Sequence, residues 1–244
     1  MQLRFVGCGD ALGSGGRLNT CFHVSGERVN FLIDCGASSL AALKRYGISR
    51  DDLDLILITH FHGDHFGGLP FLLLDAQFAK RKRPLVIAGP SGIDIRLTRL
   101  MEALFEHSSA TKPGYELSVV SLEPGQAREF GAVKVTPFPV VHGDSGGPFF
   151  AYRVEAEGRT IAYSGDTQWT DTLVSAAHDA DLFIAEAYYH DKIVKNHLSL
   201  KMLETHLPEI NPKRLVLTHM SDDMLRRLDT LPHMAASDGL IVEL

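Results

Sequence analysis

The sequence predicts an α/β fold in which two β-sheets lie between layers of helices. Three observations predict it. Runs of β-formers come first in close succession and then alternate with helix-period segments, an order that suits sheets covered by helices. A similar layout can be read in each half of the chain. Several apolar strands also end in a histidine or an aspartate, as expected where strand ends line one cleft of a layered fold.

Each element follows from periodicity and punctuation. In the first half, strands are expected at Gln2–Val6, Thr20–Val24 and Val29–Asp34, joined by Gly-rich turns. A helix near Ser39–Tyr46, a buried strand Leu53–Ile58, a helix across Leu69–Lys82 and a strand Leu85–Ala88 follow. Gly89-Pro90-Ser91-Gly92 then reads as a turn that offers Ser91 as a helix cap. Ile93, Leu97, Leu100, Met101 and Leu104 recur at helical spacing, which predicts a helix over Ile93–Glu106. The second half predicts strands near Glu116–Leu122, Val133–Val141, Phe149–Ala156, Thr160–Tyr163, Leu182–Ala185, Arg214–Leu217 and Leu240–Glu243. Helices are expected near Thr170–Ala177, Ser199–His206 and Asp222–Leu228. No linker, repeat or low-complexity segment divides the chain, so one domain over residues 1–244 is expected.

Bulk properties narrow the function classes. At 45% hydrophobic and 22% charged residues the composition is that of an ordinary globular protein. No apolar run approaches the roughly 20 residues needed to cross a bilayer, and the strand-like start does not resemble a signal peptide. Cys8, Cys21 and Cys35 form no disulfide framework and lack CxxC spacing, which fits small buried thiols kept reduced in a cytoplasm. A net charge of −6 argues against a general affinity for nucleic acid. The basic run Lys80-Arg81-Lys82-Arg83 is expected to be the cationic last turn of the helix begun near Leu69, closed by Pro84.

The densest chemistry lies in Thr59-His60-Phe61-His62-Gly63-Asp64-His65-Phe66-Gly67-Gly68. Three imidazoles and a carboxylate fall within six positions directly after an apolar strand. Imidazole with carboxylate suits zinc and its first-row neighbours, and offers too few oxygens for calcium. His60 and His62 point to one side of an extended segment and can grip one ion, while Asp64 and His65 on the following turn can reach a second. Later strand ends supply further candidates. His142 follows Val140-Val141, Asp166 follows Tyr163-Ser164-Gly165, and His219 follows Leu217-Thr218, echoing Ile58-Thr59-His60. Each is weak alone; the repetition of an apolar strand followed by a ligand carries the weight.

These residues together resemble the metallo-β-lactamase fold superfamily, most closely its ribonuclease Z-like phosphodiesterase branch. The likeness runs through Phe5-Val6-Gly7-Cys8-Gly9-Asp10, Arg17-Leu18-Asn19-Thr20, Phe31-Leu32-Ile33-Asp34-Cys35-Gly36, Gly89-Pro90-Ser91-Gly92 and Ala236-Ser237-Asp238-Gly239-Leu240. Ser164-Gly165-Asp166-Thr167, Ala185-Glu186-Ala187 and His197-Leu198-Ser199-Leu200 favour this branch. The resemblance implies a four-layer αββα sandwich and two divalent metal ions, zinc first, with manganese and iron as alternatives. It implies that His60, His62 and His142 bind the first ion, that Asp64, His65 and His219 bind the second, and that Asp166 bridges them. Asp34 is then expected behind the site, orienting a ligand. Asp64 is the implied general base and His197, oriented by Glu186, the group that meets the phosphate or the leaving oxygen. Two ions sharing a carboxylate hold a water and lower its pKa toward about 7, which supplies hydroxide.

The chain departs from its relatives in two places. Ribonuclease Z proteins carry a long tRNA-gripping arm between the segments of His142 and Asp166; here only the 23 residues 143–165 lie there. The histidine that precedes the Glu in that branch is Ala185 here. Both point from tRNA toward a small or cyclic phosphodiester, with an RNA end as the larger alternative. Gly143 to Pro148, with Phe149 and Phe150, then reads as a flexible rim or a plain hairpin connection. Rival readings are a lactone, thioester or β-lactam hydrolase on the same metals, and a non-catalytic metal-binding module. A di-iron redox protein of this fold has a Glu in the cluster, and His60 to His65 contain none. A homodimer is the assembly the resemblance suggests.

Overall fold

Strand side chains alternate between two apolar surroundings, and that alternation sets the layers. The computed structural model describes residues 1–244. Its strands are β1 (Gln2–Gly7), β2 (Cys21–Ser25), β3 (Asn30–Ile33), β4 (Leu55–Leu57), β5 (Leu85–Gly89), β6 (Leu117–Ser121) and β7 (Arg128–Phe130). They continue with β8 (Val133–Pro139), β9 (Phe150–Ala156), β10 (Arg159–Tyr163), β11 (Leu182–Glu186), β12 (Leu215–Thr218), β13 (Met234–Ala235) and β14 (Ile241–Glu243). The helices are α1 (Ser39–Arg45), α2 (Gly63–Phe66), α3 (Leu69–Phe78), α4 (Ile93–Leu104), α5 (Thr172–Ala177), α6 (Leu200–Ile210) and α7 (Asp222–Leu225).

Two seven-stranded sheets result, ordered β14-β1-β2-β3-β4-β5-β6 and β13-β12-β11-β10-β9-β8-β7. Phe31, Ile33, Leu55 and Leu57 of the first sheet meet Val154, Ile161, Tyr163 and Ile184 of the second in one core. The alternate residues Leu32, Ile56 and Ile87 face α1, α3 and α4 through Leu43, Leu72 and Leu97. Ala162, Phe183 and Leu217 likewise face α5 and α6 through Leu173 and Leu203. The layers are therefore αββα, as the sequence predicts. Truncating a central leucine such as Leu57, fully buried between the sheets, is expected to cost about 2–5 kcal/mol.

The sheets share one arrangement that builds the site. β3 to β6 are mutually parallel, as are β10 to β13. Parallel neighbours deliver their C-terminal ends to one edge, where a crevice forms. Asp34, His60, Asp166, Glu186 and His219 all stand at or just beyond such ends.

The basic run corrects the sequence expectation. Helix α3 stops at Phe78, and Lys80 takes a left-handed φ of 60°. Arg81 is only 2% exposed, and its guanidinium donates to the carbonyls of Leu53 at 2.5 Å and Pro84 at 2.8 Å, and to that of Arg50. Its charge thus satisfies carbonyls beside β4 and is not a helix-end cation. Other boundaries differ for local reasons. Asp64 and His65 lie in α2 and not in an open turn. Helix α6 continues through Pro208 to Ile210, because the proline removes a single helical bond while buried Leu203 and Ile210 anchor both ends. Strands β7 and β13, which the sequence analysis does not predict, are edge strands of three and two residues. All three cysteines are free and buried.

Candidate metal centre

Each ligand-type side chain reaches the crevice through a distinct local device. His60 lies three residues beyond the end of β4, and His62, in extended backbone, precedes α2, which carries Asp64 and His65. Asp166 arrives on a tight turn after β10. Gly165 there has φ 59°, and a Cβ would stand 2.5 Å from the carbonyl oxygen of Phe150, so only glycine fits. Gly36 is equally constrained, since a Cβ would lie 2.1 Å from the Asp64 carbonyl oxygen. His219 follows β12 with a left-handed φ of 54°.

The seven residues named from the sequence converge. Donor atoms of His60, His62 and His142 lie within 4.8 Å of one another, and so do those of Asp64, His65, Asp166 and His219. Asp166 Oδ2 is the common point: it stands 3.2 Å from His219 Nε2, 3.3 Å from His65 Nε2, 3.6 Å from His142 Nε2 and 3.9 Å from His60 Nε2. Asp64 Oδ2 is 3.2 Å from both His65 Nε2 and His219 Nε2. His60 Nε2, His65 Nε2 and Asp166 Oδ1 are buried without a hydrogen-bond partner. Buried polar atoms are seldom left so. Nitrogen lone pairs and carboxylate oxygens aimed at shared points are the donor set of a divalent cation, and the orphaned atoms fit that use.

The outer ring nitrogens are held in turn. His65 Nδ1 donates to Asp34 Oδ2 at 2.7 Å, and His142 Nδ1 donates to the Asn196 carbonyl at 2.7 Å. Thr59 Oγ1 donates to Asp34 Oδ2 at 2.8 Å and stands 3.1 Å from His60 Nδ1, from which it accepts. Asp34, fully buried, therefore supports His65 directly and His60 through Thr59. Such partners fix tautomer and ring orientation.

The field of the cluster favours positive charge. Burial opposes the charged form of His65 and of His219. The carboxylates of Asp166 and Asp64 outweigh it and raise His65 well above the ordinary imidazole range and His219 to about 9. Burial would raise Asp166, yet His219 and His65 hold it well below the usual carboxylate range. The same balance depresses Asp64.

Glu186 and His197 flank the cluster. Glu186 is fully buried; its Oε2 accepts from the backbone N–H of Thr167 at 2.8 Å, and its Oε1 meets His197 Nδ1 in a short contact. Burial lowers His197, but the bond and charge of Glu186 raise it overall. The His197 ring stacks on Tyr188 with centroids 4.4 Å apart and lies 4.9 Å from that of His142. Glu186 and His197 also share a donor grouping with Asp166 and His219.

Three neighbours complete the surroundings of the cluster. Thr59 acts as the relay described above. Phe149, 7% exposed, packs its ring 5.3 Å from His142 and 5.6 Å from His60, so the expected flexible rim is anchored at this end. Asn196 holds His142 through a backbone carbonyl, for which no side-chain signal exists. A cleft of about 290 Å³ opens over the cluster between Ala11, Tyr188 and Lys195. His190 lies outside the cluster beside Asp191, and His206 stacks on Trp169.

The fold and the chemistry of this centre define a class, the metal-dependent hydrolases of metallo-β-lactamase fold in their ribonuclease Z-like, phosphodiesterase branch. The metallo-β-lactamase fold protein YhfI of Bacillus subtilis superposes with a TM-score of 0.80 at 20% identity, covering 100% of this chain and 99% of that one. Human short-form tRNase Z superposes with a TM-score of 0.82 at 27% identity, covering 100% of this chain and 99% of that one. In sequence, ribonuclease Z of Agathobacter rectalis is 30% identical over 84% of this chain and 82% of its own length. More narrowly, the chain belongs to the family described as Anti-Pycsar protein Apyc1, whose profile matches residues 1–235.

Proposed function

We propose that this protein is a phosphodiesterase that hydrolyses a small or cyclic phosphodiester. One observation carries the reading: two donor groups joined at Asp166 lie beside an imidazole, His197, fixed by the buried carboxylate of Glu186. His60, His62 and His142 would hold one divalent ion, Asp64, His65 and His219 a second, and Asp166 would serve both. Zinc suits this set, and manganese or iron can occupy it according to supply. When bound, the ions lower the pKa of a water and neutralise charge that builds on the phosphate oxygens.

The chain's own groups divide the remaining work. Asp64, whose Oδ2 faces His65 and His219, takes the proton of the attacking water. His197, its imidazole pushed up by the bond and charge of Glu186, donates to a phosphate oxygen and then to the leaving oxygen through its Nε2. Tyr188 lines the cleft and stacks on the His197 ring, while Phe149 packs behind His142.

The substrate class follows from space and charge. Between Pro139 and Asp166 the chain builds one loop and the hairpin of β9 and β10, with no arm to grip a folded RNA. The cleft, about 290 Å³, is near the lower end of small-molecule sites, which begin at about 300 Å³. The net charge of −6 is unfavourable for a polyanion.

The test is turnover of bis-p-nitrophenyl phosphate and a cyclic nucleoside monophosphate by protein loaded with Zn²⁺ or Mn²⁺, beside a simple lactone and nitrocefin. Phosphodiester turnover that Asp64→Ala lowers by about 10²- to 10⁴-fold is expected. Lactone turnover with inert phosphodiesters would sink the reading. Cleavage of pre-tRNA 3′ ends at a comparable rate would replace the substrate class while keeping the chemistry.

A further inference from the structure

His219 differs from the other buried imidazoles of the centre. His60, His65 and His142 each have the outer nitrogen hydrogen-bonded. His219 Nδ1 has no hydrogen-bond partner, its nearest carboxylate oxygen being Glu186 Oε1 at 3.6 Å. Its backbone is left-handed as well, a conformation unfavourable for a residue with a Cβ. Something other than the ring must hold it in place.

The backbone supplies that hold. His219 N–H donates to the Cys8 carbonyl at 3.1 Å, and Thr218 Oγ1 donates to the same oxygen at 3.3 Å. Cys8 is held from the other side by Asp238. Its carboxylate accepts from Cys8 N–H at 3.1 Å, from Cys8 Sγ at 3.3 Å and from Leu18 N–H at 2.8 Å. Asp238 sits where the chain crosses from β13 of one sheet to β14 of the other. The crossing is stitched to both: Ala236 N–H donates to Leu217 at 2.8 Å and Gly239 N–H to Phe5 at 2.6 Å. Arg17 Nη1 closes the same corner on the Ala236 carbonyl at 2.6 Å.

We infer that Asp238 is a positioning residue for the second metal site: through the Cys8 peptide it fixes the backbone of His219 and so aims its imidazole. Asp238 grips the Cys8 N–H directly and itself lies outside the ligand cluster. The inference rests on His219 being a ligand, as proposed above.

Asp238→Asn tests it, because asparagine has a single accepting oxygen and its N–H₂, a donor, cannot accept from the second of Cys8 N–H and Leu18 N–H. Metal content by elemental analysis and stepwise Kd by chelator competition are the readouts, with Val242→Ala in β14 as a control that loosens the same C-terminal segment without touching the carboxylate. The expected result is one ion per chain in place of two, with the weaker Kd raised by about 10- to 100-fold and the tighter one unchanged. Val242→Ala should keep both ions, and adding Asp238→Asn to His219→Ala should cost nothing further. Wild-type affinity for both ions in Asp238→Asn, or parallel ion loss in Val242→Ala at equal loss of Tm, overturns the inference. Should Asp238→Asn fail to fold, Arg17→Met loosens the same corner; selective loss of one ion supports the inference and two-ion wild-type binding overturns it. Two ions at full affinity in His219→Ala would instead overturn the ligand assignment, a distinct outcome.

Discussion

Thr59-His60 and Thr218-His219 repeat the same two residues after parallel strands, one in each sheet, yet the fold supports them by different means. Behind His60 the support runs through side chains, from the ring to Thr59 and on to Asp34, which also grips His65. Behind His219 it runs through backbone: the threonine hydroxyl and the histidine N–H both reach the Cys8 carbonyl, and the ring's outer nitrogen is unpartnered. One sequence pattern can thus hold a candidate ligand by relay or by stitching. The two sides should therefore fail under different substitutions.

Asp166 joins the sides, and breaking it should produce the largest effect. Asp166→Ala is expected to weaken both ions and to remove several kcal/mol of transition-state stabilisation, about 10³-fold or more in kcat/KM. Elemental analysis and steady-state kinetics check this; retention of one ion at wild-type affinity would show that Asp166 belongs to one side only. Next in size is Glu186→Gln, which withdraws the charge that keeps His197 protonated. It should lower kcat by about 10²-fold or more with both ions retained. Loss of metal in this variant would place Glu186 among the ligands and not behind His197.

Thr59→Val against Thr218→Val separates relay from stitching directly. Thr59→Val removes the acceptor for His60 Nδ1 and cuts its link to Asp34, which keeps only the Thr59 N–H and His65 Nδ1, so metal affinity should fall by about 10- to 100-fold. Thr218→Val removes only a 3.3 Å bond to a carbonyl that His219 N–H also uses. Its cost should stay near about 1 kcal/mol in stability, with metal affinity within a few-fold of wild type. Chelator competition and thermal melts measure both; equal losses would erase the distinction.

Much of this centre was legible because strand ends advertise themselves. An apolar run followed by His or Asp is a local pattern, and the layered topology brings such ends together. Spacing separates His60 and His62 from Asp64 and His65, but the places of His142, Asp166 and His219 come from family resemblance, on which side-chain alternation is silent. What stayed hidden is nonlocal or chemically ambiguous. Thr59 looks like any β-former in a strand. Phe149 reads as part of a rim or hairpin connection until its ring is seen against the imidazoles. Cys8 and Asp238 meet across 230 positions of sequence, beyond any periodicity. Arg81 ends α3 early by seeking carbonyls at Arg50 and Leu53, contacts that a helix-end reading of its charge cannot contain. Short β7 carries Arg128 and Glu129, which match no buried-strand pattern.

The smallest expected effect uses the cysteines as reporters of the two sides. Burial pushes the thiols of Cys8 and Cys21 up to about 12 and that of Cys35 well above the ordinary value. All three should therefore resist a disulfide reagent near pH 8 in the metal-loaded protein. Cys35 is clamped beside the relay, its N–H on the His65 carbonyl at 2.7 Å and its own carbonyl accepting from Gly68 at 2.8 Å. Cys8 lies in the stitched corner, where His219 is held through the Cys8 peptide and the Asp238 carboxylate and not through its own ring. Stripping the metals with chelator should accordingly expose Cys8 first, one thiol labelled per chain while Cys21 and Cys35 wait for global unfolding. Mass spectrometry of labelled peptides identifies the site, and Cys35 reacting before Cys8 would mean that the relay, not the stitched corner, is the weaker support.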